Sequence, residues 1–171
     1  MNIHDALLRE HSKAQAENIA QYVISQPQKL DELMACFFDP DLRICQRASW
    51  PVCKLGIQTP QLLERFIPSM IKNLEVPKHD AVIRNTVRVW SEMHIAEEFE
   101  GSIFDLCFNY LCNRKMAVAV RAFSITVATK IALKYPELTK DLILELKNQM
   151  LYETKAAVVV RLKRHIKQLE K

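Results

Sequence analysis

The amino-acid sequence predicts an all-α protein in which pairs of helices stack side by side as a solenoid. The chain has 171 residues but only two glycines. Because hairpin turns and phosphate-binding loops depend on glycine, an all-β fold, a Rossmann unit and a P-loop are all disfavoured. Two motifs then recur along the chain, one built around arginine and one around proline. A period of about 20–50 residues made of helix pairs is typical of a solenoid, since neighbouring pairs bury their apolar faces jointly.

The arginine motif recurs at separations of 37, 37 and 40 residues. Its four copies are "LRICQRASWPVCKL", "HDAVIRNTVRVWSEM", "MAVAVRAFSITVATK" and "AAVVVRLKRHIKQLE", with Arg47, Arg84, Arg121 and Arg161 as anchors. Each arginine follows an apolar cluster, and apolar residues continue after it at helical spacing. We call the helices that carry these arginines B helices. We expect them near residues 42–56, 79–95, 116–134 and 156–170.

The proline motif alternates with the arginine motif. It reads "PQKLDELM" from Pro27, "PQLLERFI" from Pro60 and "PELTKDLI" from Pro136. Proline suits the first turn of a helix, because it has no N–H and that position has no intrahelical acceptor for one, and apolar residues follow each proline six, seven and ten positions later. We call these helices A helices. We expect them near residues 28–38, 60–74, 97–112 and 136–151, after an opening helix over residues 3–25 that resembles a degenerate B helix and caps the array.

With these motifs in register, the chain resembles the HEAT (armadillo-type) helical-repeat proteins over about residues 27–171. The stretch "FFDPDLRICQRASWPVCKLG" is similar to the helix–turn–helix centre of a HEAT repeat, and Pro68 matches the proline that kinks the first helix in that family. The resemblance implies an α–α superhelix of about four helix pairs plus the N-terminal cap, with B helices on the concave side and usually a binding role. The expected repeats of this single domain, 1–171, are 27–56, 60–95, 97–134 and 136–170.

The turn before each B helix departs from the family pattern. In HEAT repeats a turn aspartate and the arginine six residues later form a bonded ladder between neighbouring repeats. Asp41 stands six residues before Arg47, but the corresponding residues of the later repeats are Lys78, Lys115 and Lys155. Because a lysine cannot accept a hydrogen bond, the later arginines either pair elsewhere or face solvent.

If the arginines face solvent, a positive strip crosses the stack. The net charge is only +4, but basic residues are concentrated on the B helices and acidic ones on the A helices, which favours a basic concave side. Plain solvation of exposed faces is the alternative explanation, and the two tryptophans are either core residues or part of the strip. The predicted strip consists of Lys78, Arg84, Arg88, Lys115, Arg121, Lys155, Arg161, Arg164, Trp50 and Trp90.

The sequence offers little support for chemistry. The five histidines lie far apart, without zinc-site spacing, and no nucleophile elbow, kinase loop or paired-carboxylate motif occurs, so we expect no catalytic residue, no metal and no cofactor. The five cysteines are odd in number and contain no CxxC pair, which favours a reducing compartment. The first residues lack a signal-peptide core, and no apolar run approaches the ~20 residues of a membrane span. We therefore expect a cytoplasmic protein, without membrane contact.

The sequence thus predicts a non-catalytic scaffold whose basic concave surface binds a macromolecule, most simply a protein with an acidic segment. The alternative is nucleic-acid binding. Asp80 beside the tryptophans and the basic strip gives a weaker similarity to DNA-alkylation-repair glycosylases built of helical repeats, in which concave aromatic and basic residues cradle a duplex. We expect a monomer, and self-association through the apolar side of the last helix stays open.

Overall fold

The computed structural model describes residues 1–76 and 78–171, and within them the chain is helical without a β-strand. The all-α prediction is confirmed. Ten α-helices occur in the described residues, and their bounds are α1 (Ile3–Arg9), α2 (Lys13–Ser25), α3 (Leu30–Phe37), α4 (Leu42–Gln58), α5 (Ile67–Leu74), α6 (Asp80–Glu92), α7 (Glu97–Cys112), α8 (Val118–Ala132), α9 (Pro136–Met150) and α10 (Ala156–Leu169). Short 3₁₀ segments, Pro27–Lys29 and Pro60–Phe66, precede α3 and α5.

The chain divides into two compact units, Met1–His94 and Ile95–Lys171. In the first unit α4 is central and packs against α1, α2, α3 and α6. In the second unit α8 is central and packs against α7, α9 and α10. B helices therefore pack on B helices within each unit, α4 on α6 and α8 on α10. The boundary between the units falls where the second predicted repeat ends, and the expectation of a single domain stays a prediction.

The opening segment is two helices, so the prediction of one helix over residues 3–25 is wrong. Glu10 ends α1 in an extended conformation, with φ −149° and ψ 141°. Ser12 then caps α2, its Oγ accepting the N–H of Gln15 at 3.1 Å. Serine favours such a cap over a helix interior because its short side chain satisfies an otherwise unpaired N–H. α2 packs on α4 as one B helix packs on the next, in agreement with its predicted B-like character.

The prolines lie where the sequence places them. Pro27 and Pro60 open the two 3₁₀ segments, and Pro136 is the first residue of α9. Pro68 stands in the first turn of α5, directly after a 3₁₀ segment, and the kink that the family resemblance implies there stays a prediction. Among the prolines of the described residues, Pro51 alone lies beyond the first turn of a helix, where α4 continues from Leu42 to Gln58.

The two glycines stand in opposite environments. A Cβ on Gly56 would lie 2.8 Å from side-chain atoms of Leu63 and Val89, so α4 requires glycine where these residues approach it. A Cβ on Gly101, in α7, would meet nothing within 4 Å. Only the first glycine is therefore needed for packing.

All five cysteines are free, and all but Cys112 are buried. Burial raises the pKa of the Cys36, Cys45, Cys53 and Cys107 thiols. Partial burial, together with the neighbouring Glu145 carboxylate, raises the pKa of Cys112 to about 12. The expectation that these residues behave as small apolar side chains agrees with this arrangement.

Candidate functional site

The four motif arginines have different partners. Arg47 and Arg121 hydrogen-bond to groups outside their own helices, whereas exposed Arg84 donates to its neighbour Asn85 and half-buried Arg161 lies over the Phe123 ring. The family ladder between turn residue and arginine is absent at its one predicted position. Asp41 instead caps α4, its Oδ1 accepting the N–H groups of Arg43 at 2.7 Å and Ile44 at 3.2 Å.

Arg47 binds the C-terminal end of α1. Its Nη1 donates to the carbonyl oxygens of Leu7 at 2.8 Å and Leu8 at 3.0 Å. The last carbonyls of a helix have no intrahelical donor and carry the negative end of the helix dipole, so a cation stabilises them. Arg47 is therefore a structural residue.

Arg121 forms a buried polar cluster at the start of α8. Its Nη1 lies 2.5 Å from Glu153 Oε2, and both side chains are about 95% buried, with exposed fractions of 5% and 6%. Its Nη2 donates to Gln149 Oε1 at 3.1 Å and its Nε to the Leu111 carbonyl at 3.4 Å. The acid that replaces the missing turn aspartate therefore comes from the turn before α10.

Glu153 has a second task in this cluster. Its Oε1 accepts the backbone N–H groups of Thr154 at 3.0 Å and Lys155 at 2.8 Å, immediately before α10 begins. Burial alone raises the pKa of Glu153, but the hydrogen bonds from Lys155 and Arg121 outweigh it and hold the pKa below its ordinary value. One ionised carboxylate thus joins α8 to the beginning of α10.

Arg84 is exposed on α6, and its position depends on a buried amide. Arg84 Nε donates to Asn85 Oδ1 at 3.3 Å, and Asn85 Nδ2 donates to Ser49 Oγ on α4 at 2.9 Å. Ser49 in turn donates to the Gln46 carbonyl at 2.7 Å. Asn85 and Ser49 have exposed fractions of only 5% and 0%. The sequence analysis missed Asn85 and Ser49, whose only signal is a polar residue at a buried helical position.

The α4–α6 face, defined here by Trp50, Lys54, Arg84 and Arg88, is the basic surface of the first unit. Burial raises the pKa of the Cys53 thiol, while the nearby Arg88, Arg84 and Lys54 lower it and Glu92 raises it. Lys54 is paired with Glu17 of α2 at 3.0 Å, whereas both arginines are exposed. Trp50 is half-buried and packs edge-on against His11, with ring centroids 5.6 Å apart.

The α8–α10 face, defined here by Phe123, Lys130, Arg161 and Arg164, is the basic surface of the second unit. The Arg161 guanidinium lies over the Phe123 ring, 5.1 Å from its centroid. Arg164 is exposed on the same helix, and Lys130 is half-buried on α8. Phe123 was not predicted as a site residue, because an aromatic residue in a helical apolar pattern is indistinguishable from the core.

His165 lies between the two helices of this face. It is buried, and its Nε2 lies 3.3 Å from the Thr126 hydroxyl. Burial lowers the pKa of His165, and the nearby Arg164 and Arg161 lower it further. A neutral imidazole at pH 7 leaves the positive charge of this face on its arginines and lysine.

Two residues of the predicted strip are corrected, because neither reaches the surface. Trp90 has an exposed fraction of 0% and belongs to the core of the first unit, so its apolar interpretation holds. Arg121 has an exposed fraction of 4% and is paired with Glu153, so it offers no charge to a partner. The turn lysines are accessible to different degrees: Lys78 is half-buried, whereas Lys115 and Lys155 are exposed.

His79 and Asp80 have the helix-start role that the sequence indicates. His79 Nδ1 accepts the N–H of Ala81 at 3.1 Å and so caps α6, with Asp80 in its first turn. Within the described residues no three His, Cys, Asp or Glu side chains converge as metal ligands. In the same residues no helix has both the length and the apolar character needed to span a bilayer.

The fold and the two faces define an all-helical repeat protein that presents arginine-bearing B helices at its surface. The chain matches the HEAT repeat domain over residues 3–169 and belongs to that family. HEAT repeats generally serve as protein-interaction scaffolds. No curated protein and no solved structure gave a significant match.

Proposed function

We propose that the protein is a non-catalytic, cytoplasmic interaction module that binds a protein partner through an acidic segment. The observation that carries this proposal is an arginine pair on the last B helix of each unit. Arg84 and Arg88 are exposed on α6, whereas on α10 Arg164 is exposed and Arg161 is half-buried. Residues three or four positions apart on a helix share one side, so the two guanidinium groups of each pair lie on one side of their helix. Family membership supports a protein partner, and five free thiols support a reducing compartment.

The distribution of charge favours an acidic peptide over a nucleic acid. Each face holds a few cations together with an aromatic side chain, and a carboxylate already engages one cation, as Glu17 engages Lys54 at 3.0 Å. A duplex needs many cations along a continuous phosphate backbone, and its affinity falls steeply with salt as counterions are released. The two or three cations of each face suit the carboxylates of a short acidic stretch.

The test is a binding experiment on the full chain with arrays of acidic peptides and, separately, with duplex DNA. We expect peptides with Asp or Glu next to an apolar residue to bind, and their Asn or Gln counterparts to lose binding. The variant Arg84→Gln/Arg88→Gln/Arg161→Gln/Arg164→Gln removes four charges from the faces. Its control, Arg9→Gln/Lys72→Gln/Lys140→Gln/Lys171→Gln, removes four exposed charges elsewhere.

The two variants separate a specific surface from general charge attraction. The face variant is expected to lose peptide binding, and the control variant to keep most of it. Equal losses in both variants, or the absence of any acidic peptide that binds, contradict the proposal. Duplex binding that exceeds peptide binding and weakens by orders of magnitude between low and physiological salt favours the nucleic-acid alternative instead.

A further inference from the structure

We infer that the α4–α6 face contains a carboxylate-binding site. In this site Arg84 binds the carboxylate, and the buried Asn85–Ser49 pair positions Arg84. The inference rests on the proposed function and deepens it, because it assigns the partner's acidic side chain to one guanidinium. Arg84 Nε donates to Asn85 Oδ1 at 3.3 Å, and Asn85 Nδ2 donates to Ser49 Oγ at 2.9 Å.

The positioning pair is rigid because it is buried between two packed helices. Ser49 is fully buried on α4 and donates to the Gln46 carbonyl of its own helix at 2.7 Å. Asn85, on α6, therefore meets an acceptor whose own orientation is already set. A buried amide that makes such bonds is costly to rotate, since any other orientation leaves its polar groups unsatisfied. The Oδ1 of Asn85 is thereby directed to the Nε of the neighbouring arginine.

An arginine held by Nε presents its opposite end to solvent. The guanidinium is planar, with five N–H donors in a fixed arrangement. When Nε–H is engaged by Asn85, the two Nη atoms remain as an end-on fork, the geometry that a carboxylate accepts through two parallel hydrogen bonds. The preorganised group loses less conformational entropy on binding than a freely rotating side chain does. Arg84 thus combines exposure with a fixed orientation.

Neighbouring charges strengthen the site. Arg88 stands one turn after Arg84 on α6 and is also exposed. Burial raises the pKa of the nearby Cys53 thiol, while Arg88, Arg84 and Lys54 lower it and Glu92 raises it, so three cations and one acid lie in this region. Lys54 pairs with Glu17 at 3.0 Å, whereas the exposed Arg84 is held through its Nε by Asn85.

The α8–α10 face lacks this arrangement. Arg161 lies over the Phe123 ring at 5.1 Å, and a cation–π contact leaves the guanidinium free to slide and rotate in its plane. Its motif neighbour, Leu162, is apolar and cannot orient it as Asn85 orients Arg84. We therefore assign the specific carboxylate contact to the first unit.

The experiment measures the affinity of the full chain for the best acidic peptide from the array. The variant Arg84→Lys keeps the charge but loses the fork, and we expect the Kd to rise about tenfold or more, since hydrogen bonds between charged groups have this size. The matched control Arg161→Lys is expected to change the Kd less than about threefold. Asn85→Ala keeps both arginines, and we expect the Kd to rise about three- to tenfold, mainly through a faster off-rate.

A spectroscopic readout separates positioning from folding. The Arg84 Nε–H resonance is assigned by its loss in Arg84→Lys. In the native chain this N–H group is expected to be as rigid as the backbone amides. In Asn85→Ala it is expected to become mobile while the backbone amide spectrum stays folded. Ser49→Ala serves as a second variant and is expected to have a smaller effect in the same direction.

The outcomes distinguish this inference from the proposed function. If the native chain binds acidic peptides but Arg84→Lys binds them equally well, the carboxylate site is wrong and the proposed function stands. The same holds if Asn85→Ala leaves the Arg84 resonance rigid, or if a phosphoserine peptide binds more than about tenfold better than its aspartate counterpart. If no acidic peptide binds the native chain, both proposals fall.

Discussion

The two compact units use their first motif arginine in different ways. In Met1–His94, Arg47 donates to neutral carbonyls at the end of α1 and stays half-buried. In Ile95–Lys171, Arg121 is buried against the ionised Glu153. Half-buried Arg47 can replace its carbonyl acceptors with water. Buried Arg121 cannot replace the Glu153 carboxylate with water in the same way. Arginines at equivalent motif positions therefore contribute unequally to stability, and the contribution depends on the group that accepts their hydrogen bonds.

The largest expected effect comes from removing the buried cation. Arg121→Ala leaves Glu153 buried without its partner and should destabilise the second unit by about 3–5 kcal/mol. Arg47→Ala loses a helix-end contact and should cost the first unit about 1–2 kcal/mol. Hydrogen exchange measured on peptides from each unit reports both. Equal costs in the two units would remove the distinction between them.

Acid should abolish the contribution of the same ion pair. Because the folded chain holds the pKa of Glu153 below its ordinary value of about 4.3, the pair stabilises fully above that pH and is lost as the pH falls through the lower folded-state pKa. We expect the free-energy difference between the native chain and Glu153→Gln to be constant near neutral pH and to shrink below about pH 4. A difference that does not begin to shrink as the pH falls below about 4 would contradict this assignment.

Alanine at the two glycines is expected to have opposite effects in the two units, and the Gly101 effect is the smallest of those predicted here. Gly56→Ala places a Cβ 2.8 Å from Leu63 and Val89 side-chain atoms and should destabilise the first unit by about 1–3 kcal/mol. Gly101→Ala meets no neighbour and should stabilise the second unit by about 0.5–1 kcal/mol, because alanine restricts the unfolded chain and favours the helix. Thermal unfolding of both variants checks the signs.

The sequence predicted the helices better than the surface. Proline starts, apolar stripes and the arginine motif lie within single helices, so the bounds of the A and B helices were predictable to within a few residues. The opening segment was predicted as one helix because its apolar residues continue on both sides of Glu10, although Ser12 is a strong cap signal.

The site was only partly predictable because the partners of the arginines lie outside the motif. Glu153 is 32 residues from Arg121, and Leu7 is 40 residues from Arg47, so no local pattern relates them. Of the predicted strip, Arg84 is exposed and Arg161 is half-buried, whereas Trp90 and Arg121 are buried, since burial depends on how the helices rotate when they pack. The residues that orient Arg84 are polar core residues, which a hydrophobic pattern does not register.

Because their thiol pKa values are raised, the cysteines react slowly in the native chain, and they can report local unfolding. Thiolates, and not thiols, react with alkylating reagents, so the native chain should be labelled slowly at neutral pH even at exposed Cys112, whose pKa is about 12. Cys36, Cys45 and Cys53 lie in one unit, and Cys107 and Cys112 in the other. The order in which these five cysteines are modified therefore reports which unit unfolds first, without an engineered probe.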